Sequence, residues 1–194
     1  MLIKLSDDQS HSDVVSSKRK FIKQLAGGAL VAMAGINPSL AGFRTLSPHK
    51  TLALEHSHTG EKLKLTYYEN GRYIKPALKE ISYLLRDYNN DHVHTIDPFL
   101  LDQLYDLSTL LGTHRPFYII SGYRSPVTNA VMRKHHRGIA KDSLHMQGRA
   151  IDIQIEGIDA RRIRNAAVAM QSGGVGYYRQ SEFVHLDTGN VRTW

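Results

Sequence analysis

The sequence contains no cysteine among its 194 residues. That absence excludes disulfide bonds and thiolate metal sites, so any zinc would have to be held by histidine, aspartate or glutamate side chains. It does not reveal the compartment, because large exported domains can also lack thiols.

The sequence also lacks a long apolar run. Its most apolar N-terminal segment, residues 26–36 (AGGALVAMAGI), is too short and too weakly hydrophobic to span a bilayer comfortably. A basic stretch precedes this segment, and the small residues Ser39 and Ala41 follow it, which is the order of an export signal cut after Ala41. The stretch SKRKFIK is similar to a twin-arginine signal, with Lys18 at the position of the first arginine. The alternative is an amphipathic or disordered tail.

Acidic residues are fewer than basic ones, 18 against 25, so the formal net charge is +7. Residues 1–41 contain five basic and three acidic residues, so their removal would leave a balance of +5. A positive domain suits an anionic partner such as nucleic acid, a membrane surface or a cell-wall polymer. The sequence has no basic stripe with interleaved aromatic residues, so we expect no nucleic-acid partner.

The order of the predicted elements indicates an α+β fold. Residues 51–56 and 62–68 alternate apolar and polar side chains around a turn at 57–61, which predicts a β-hairpin. Asp97-Pro98 predicts a helix start that is followed by a stripe of leucines. Without a repeated strand–helix rhythm, a parallel α/β sheet is disfavoured. The remaining predictions are a helix from Pro76, strands at 117–121, 149–155 and 183–188, and helices at 126–136 and 160–170.

Two of the predicted strands carry residues suited to a metal. Alternation along 149–155 separates Asp152 from the isoleucines, and alternation along the last strand puts His185 on the face of Asp187. If the strands are antiparallel neighbours, Asp152 and His185 share an exposed face, and a bend at Gly148 returns His145 to it. Two imidazoles and one carboxylate suit Zn²⁺, which acidifies a water molecule and polarises a carbonyl.

Hydrolysis of an amide at such a metal site also needs a carboxylate that takes the proton of the water and passes it to the leaving amine. Asp187 shares the face of His185 in a regular strand, so alternation favours it as the proton acceptor. Asp187 could instead orient a histidine ligand. Glu182 precedes His185 by three positions and would reach the site only if the strand begins after it.

The motif Ser143-x-His145-x-x-Gly148-x-Ala150-x-Asp152 precedes His185-x-Asp187 and follows the segment SGYRS at 121–125. With LDQLYDL, QIEGI, GGVGYY and FVHLDTG, this arrangement resembles the D-Ala-D-Ala carboxypeptidase-like zinc peptidases. Within them, residues 50–194 are most similar to the murein endopeptidase K group. The resemblance implies a small antiparallel sheet that carries the zinc site, with helices packed on one side, as in hedgehog-like and D-Ala-D-Ala peptidase-like folds.

The resemblance also implies residue roles. His145, Asp152 and His185 would be the zinc ligands, and Arg124 would bind the developing oxyanion or a substrate carboxylate. Ser143 would help to hold a peptide carboxylate, and Tyr177 and Tyr178 would line the cleft wall. Each residue also has a structural alternative. Arg124 could be a turn residue paired with a surface acid, and the Ser143 hydroxyl could bond its own backbone. The tyrosines could pack in an interior bend.

We therefore expect residues 1–41 to be an export signal, 42–50 a linker and 51–194 a zinc peptidase domain. After removal of the signal, we expect a monomeric periplasmic enzyme that cuts peptide crosslinks of peptidoglycan and is not inserted in the membrane. The crosslink joins either two diaminopimelate residues or D-Ala and diaminopimelate. The alternatives are a carboxypeptidase that trims stem peptides and a non-catalytic, zinc-containing module that binds murein.

Overall fold

The computed structural model describes residues 47–194 except 136 and 137. The predicted export signal, most of the predicted linker and the last residue of the predicted helix at 126–136 lie outside these residues. The first strand begins at His49, so the end of the predicted linker already belongs to the sheet. No helix in the described ranges has the length and apolarity that a membrane crossing requires.

The described chain contains eight strands and four α-helices. In chain order they are β1 His49–His56, β2 Lys62–Glu69, β3 Arg72–Tyr73, α1 Lys75–Leu84, α2 Pro98–Leu111, β4 Phe117–Ser121, α3 Pro126–His135, β5 Ala150–Ile155, α4 Ala160–Met170, β6 Gly174–Tyr178, β7 Phe183–Asp187 and β8 Arg192–Thr193. A short 3₁₀ helix, Leu144–Gln147, precedes β5.

The strands form one sheet in the order β3-β2-β1-β4-β5-β7-β6-β8. The predicted hairpin is confirmed as the antiparallel pair β1 and β2. The α+β class is confirmed as well, but the sheet is larger than expected and includes two parallel pairs, β1 with β4 and β6 with β8. The connection from β1 to β4 consists of β2, β3, α1 and α2, which gives the length that a parallel pair of strands needs. The strands around the site, from β4 to β6, are antiparallel.

One face of the sheet packs against α1, α2 and α4. The leucine stripe of α2 is confirmed as core, and the helix begins as predicted, with the Asp97 carboxylate accepting a hydrogen bond from the amide of Phe99. The alternate residues of β5 join the same cluster, as do α1 and α4. These residues are Ile151, Ile153 and Ile155. Because strand side chains alternate, the residues between them point to the opposite face, where the polar residues of the site lie.

Candidate metal centre

Three side chains converge on one point of the sheet face opposite the hydrophobic core. One nitrogen each from His145 and His185 and one oxygen from Asp152 all lie within 4.8 Å of one another. His185 Nδ1 is 2.8 Å from Asp152 Oδ1, and His145 Nε2 is 3.2 Å from His185 Nδ1. His145 Nε2 is 3.4 Å from the same Asp152 oxygen. This is the only such cluster of histidine and acidic side chains among the described residues.

Strand pairing brings Asp152 and His185 together. β5 and β7 are antiparallel neighbours, and Asp152 is the direct register partner of His185. Side chains that are opposite each other on one face of such a pair lie about 5 Å apart at Cβ, so the two functional groups meet without a loop rearrangement. The predicted pairing is confirmed, but the face is not exposed, because both side chains are buried.

The turn before β5 delivers His145. The 3₁₀ helix begins after Ser143, whose hydroxyl oxygen accepts a hydrogen bond from the amide of His145. It ends at Gly148, which has φ of 64°. A Cβ atom at Gly148 would collide with the carbonyl of Thr95, so the left-handed turn needs glycine for space as well as for conformation. The bend predicted at Gly148 is confirmed.

Hydrogen bonds on the outer ring nitrogens set the direction of both histidine lone pairs. His145 Nδ1 lies 2.8 Å from the carbonyl oxygen of Gly122, and His185 Nε2 lies 3.1 Å from Asp187 Oδ2. Both oxygens are acceptors, so the outer nitrogens carry the protons and the inner nitrogens present lone pairs to the cluster. Outer partners of this kind are a regular feature of histidine metal ligands.

The charges of the cluster show how strongly it attracts a cation. Burial alone would raise the pKa of Asp152, but the charges and hydrogen bonds of His145 and His185 hold that pKa far below its ordinary value. Burial alone would lower the pKa of His185, but hydrogen bonds to Asp152 and Asp187 raise it to about 9. A metal ion that binds here would take the lone pair of the inner nitrogen of His185 in place of a proton.

Asp187 contacts the outer nitrogen of His185, on the side of the ring that points away from the metal cluster. Its side chain is completely buried, and Arg192 contacts both of its oxygens, with Nη2 2.6 Å from Oδ2. The amides of Gly174 and Gly189 donate to Oδ1. Burial would raise its pKa, but the hydrogen bonds from His185 and Arg192 keep that pKa far below the ordinary value. Asp187 lines the cleft, but each of its oxygens is already engaged, which favours the alternative that it orients His185. Its role as a proton acceptor stays a prediction.

Two other expected residues lie away from the cleft. Glu182 is exposed, with φ of 56°, in a separate hollow that also includes Asp159 and Tyr177. Tyr177 packs against the core on the face of β6 that points away from His185, which is the interior alternative for this tyrosine. Its neighbour Tyr178 lines the cleft instead. The expectation that both tyrosines line the cleft therefore holds for Tyr178 alone, because β6 pairs Gly176 with His185 and strand alternation puts Tyr178 on the face of His185.

The two remaining expected residues do line the cleft, which has a volume of about 520 Å³. Arg124 is buried, and its Nη2 lies 3.8 Å from Asp152 Oδ2 and 3.3 Å from the hydroxyl oxygen of Ser121. Its backbone amide donates to the carbonyl of His145. Ser143 is buried beside His145 and accepts the amide hydrogen bond described above, which leaves its hydroxyl proton for another acceptor.

Sequence reasoning missed Arg192 and Trp194. Arg192 holds Asp187, and the Trp194 ring lies 5.2 Å from the His185 ring, centroid to centroid. Both residues reach the site because β8 returns beside β6. That strand has only two residues, too few to show an alternating pattern in the sequence.

Comparison with known proteins agrees with this geometry. The family model described as peptidoglycan L,D-endopeptidase MepK matches residues 45–194. The chain is 44% identical over 182 residues to the protein of that name from Escherichia coli K12, covering 94% of this chain and 100% of that protein. It is 39% identical over 182 residues to the probable peptidoglycan L,D-endopeptidase MepK of Haemophilus influenzae, covering 93% of this chain and 97% of that protein. The chain therefore belongs to the peptidoglycan L,D-endopeptidase MepK family of metallopeptidases.

Proposed function

We propose that this protein is a zinc-dependent endopeptidase that hydrolyses peptide crosslinks of peptidoglycan. The observation that carries the proposal is the convergence of the inner nitrogens of His145 and His185 with Asp152 Oδ1 at the wall of a cleft. The family membership and the names of the relatives support the same reaction and substrate.

The donor set fits zinc. Two neutral imidazoles and one carboxylate are a common catalytic zinc set that leaves a fourth position for solvent or substrate. Zn–N distances of about 2.0–2.1 Å in a tetrahedron place neighbouring ligand atoms about 3.3–3.4 Å apart. The three separations of 2.8, 3.2 and 3.4 Å fall close to that spacing. Bound zinc would supply Lewis-acid chemistry, acidifying water and polarising the scissile carbonyl.

The residues around the metal have distinct tasks in this proposal. Asp187, locked by Arg192, fixes the ring orientation of His185 and raises its basicity. Arg124 stands beside Asp152, where a permanent, forked cation can stabilise an oxyanion or hold a substrate carboxylate. Ser143 positions His145 through its backbone and directs its hydroxyl proton to a peptide carboxylate. Glu182 and Tyr177 are given no role in the reaction, because both lie outside the cleft.

The names of the relatives favour one of the two crosslinks. An L,D-endopeptidase cuts an amide between a residue of L configuration and one of D configuration. The link between two diaminopimelate residues joins an L centre to a D centre, whereas the link from D-Ala to diaminopimelate joins two D centres. We therefore propose the diaminopimelate–diaminopimelate crosslink as the substrate.

The proposal includes a location outside the cytoplasmic membrane, because that is where peptidoglycan lies. Residues 1–41 would direct export by the twin-arginine route to the periplasm, and residues 42–50 would lead into a monomeric domain at 51–194. The family match begins at residue 45, which supports a boundary in this region.

The test compares wild type with His185→Ala, and with His114→Ala as a control that removes an exposed histidine. We expect His185→Ala to lose bound zinc and to cleave a purified diaminopimelate-crosslinked muropeptide dimer at least about a thousandfold more slowly, since the metal supplies several kcal/mol of transition-state stabilisation. The control should match wild type. Zinc content is measured by mass spectrometry of the metal, and products by liquid chromatography and mass spectrometry.

Three outcomes would count against the proposal. Full activity after chelator treatment would remove the metal from the mechanism. Release of only a terminal amino acid from free stem peptides would indicate a carboxypeptidase. A zinc-loaded protein that binds murein and cuts neither substrate would indicate a binding module.

A further inference from the structure

Three aromatic side chains form a continuous surface beside the metal cluster. Tyr178 and Phe183 stack with their ring centroids 4.4 Å apart, and the indole nitrogen of Trp194 donates a hydrogen bond to the Tyr178 hydroxyl at 3.1 Å. All three residues line the cleft that contains the metal ligands. We call these three residues the aromatic wall.

The backbone of β6 is shaped to receive the indole. Gly176 is the register partner of His185, and a Cβ atom at Gly176 would lie only 2.6–2.8 Å from three atoms of the Trp194 ring. Any larger residue at this position would push the indole away from the strand. The absence of a side chain at Gly176 therefore lets the indole lie against the strand, next to His185.

The wall is anchored on its far side. The backbone of Trp194 is fixed by two hydrogen bonds, from its amide to Val175 and from the Tyr177 amide to its carbonyl. The Arg192 guanidinium lies 5.0 Å from the Trp194 ring centroid and also holds Asp187. Despite this anchoring, half of the Trp194 surface and 39% of the Tyr178 surface face solvent. A rigid and exposed aromatic surface in a cleft is typical of a ligand-binding surface.

The two sides of the cleft differ in chemistry. Arg124 and Ser143 supply charge and hydrogen bonds beside Asp152 and His145. The aromatic wall supplies apolar area next to His185, with the Arg192 guanidinium over the Trp194 ring. A substrate held at the metal by its scissile amide therefore lies against the wall on one side. The substrate's carboxylates suit the polar side, and its methylene groups suit the wall.

We propose that the aromatic wall is a specificity surface that packs against the methylene chain of the diaminopimelate residue next to the scissile amide. This inference rests on the proposed function. The wall acts in binding and positioning, so its loss should weaken binding of the crosslinked substrate more than it slows the chemical step.

The first test measures KM and kcat for Trp194→Ala, Trp194→Phe and Tyr83→Ala on a sugar-free, diaminopimelate-crosslinked peptide dimer. Tyr83 is a matched control, because its side chain is as exposed as that of Trp194 but lies outside the cleft. We expect Trp194→Ala to raise KM about tenfold with kcat within about twofold of wild type, and Trp194→Phe to raise KM less. Tyr83→Ala should change neither constant.

A double-mutant cycle tests the role of Gly176. Gly176→Ala should displace the indole and raise KM about as much as Trp194→Ala does, with zinc content unchanged. In a Trp194→Ala background, the same glycine substitution should change KM by less than about twofold, because the group it displaces is already gone. Independent, additive effects would show that Gly176 does not act through the indole and would overturn the proposed geometry.

Other results would overturn the inference while leaving the proposed function intact. An unchanged KM in Trp194→Ala would remove the wall from substrate binding. A fall in kcat together with zinc content would show that Trp194 only supports His185. A KM effect seen with a disaccharide-bearing dimer and absent with the sugar-free dimer would assign the wall to the glycan. If wild type cleaves neither dimer, the proposed function itself fails.

Discussion

Two buried polar clusters occupy different parts of the sheet. At one, Lys50 of β1 places its ammonium nitrogen 2.8 Å from Asp102 Oδ1, and the hydroxyls of Tyr67 and Tyr73 donate to the same carboxylate. At the other, His145, Asp152 and His185 meet beside a cleft. Both clusters take charged side chains out of water, and the second forms part of the wall of the cleft.

The difference lies in where the lone pairs point. In the Lys50 cluster, an ammonium and two hydroxyl donors converge on one carboxylate, so donors and acceptors satisfy one another. In the metal cluster, three acceptor atoms converge on one another, and their outer hydrogen bonds fix this direction. Such mutual repulsion is relieved by a proton or a cation. Burial of charge alone therefore does not distinguish a structural ion pair from a metal site, whereas the direction of the lone pairs does.

The largest expected effect comes from breaking the Lys50 cluster. Lys50→Met should lower the free energy of unfolding by about 3–5 kcal/mol, because it leaves the Asp102 carboxylate buried without its cation. Thermal unfolding should shift down by about 10 °C. Activity per folded molecule and zinc content should match wild type, since the cluster lies outside the cleft. Calorimetry and a muropeptide assay at a temperature below the transition measure the two quantities.

Lys79→Met is the matched control, because Lys79 is an exposed lysine of α1. It should leave stability within about 0.5 kcal/mol of wild type. If Lys50→Met lowered activity per folded molecule while stability was kept, the division between a structural cluster and a functional cluster would not hold.

A smaller effect is expected at Asp187, which contacts the outer nitrogen of His185. Asp187→Asn should weaken zinc binding by about 10- to 100-fold, since loss of the charge that holds His185 and Arg192 disturbs the ligand's orientation and basicity. Zinc affinity is measured by competition with a chelator of known affinity. Activity at saturating zinc should recover a large part of the wild-type value. Unchanged zinc affinity with an abolished kcat would instead return Asp187 to the role of proton acceptor.

The comparison also shows which features the sequence could predict. Alternation along β5 and β7 put Asp152 and His185 on one face once the strands were taken as antiparallel neighbours, because strand side chains have a fixed period of two. The leucine stripe of α2 and the N-cap Asp97 were predictable for the same kind of local reason. The choice between the two roles that the sequence left open for Asp187 could not be made from the sequence, because its partner Arg192 comes from a strand of two residues. Nor was the Lys50 cluster predictable, since its members come from β1, β2, β3 and α2 and show no common spacing.

The smallest expected effect is at Glu182, whose substitution tests whether this carboxylate belongs to the functional cluster. Its side chain is exposed in a hollow apart from the cleft, and the residue sits at a positive φ just before β7 begins. A carboxylate that transfers a proton must come within hydrogen-bonding reach of the reacting groups, and substitution of such a residue typically costs about 10²- to 10⁴-fold in rate. Glu182→Gln should therefore leave kcat within about twofold of wild type and zinc affinity unchanged, as steady-state kinetics on the crosslinked dimer would show. A hundredfold loss of kcat with zinc retained would mean that the segment before β7 turns inward when substrate binds, and the cluster would then extend to Glu182.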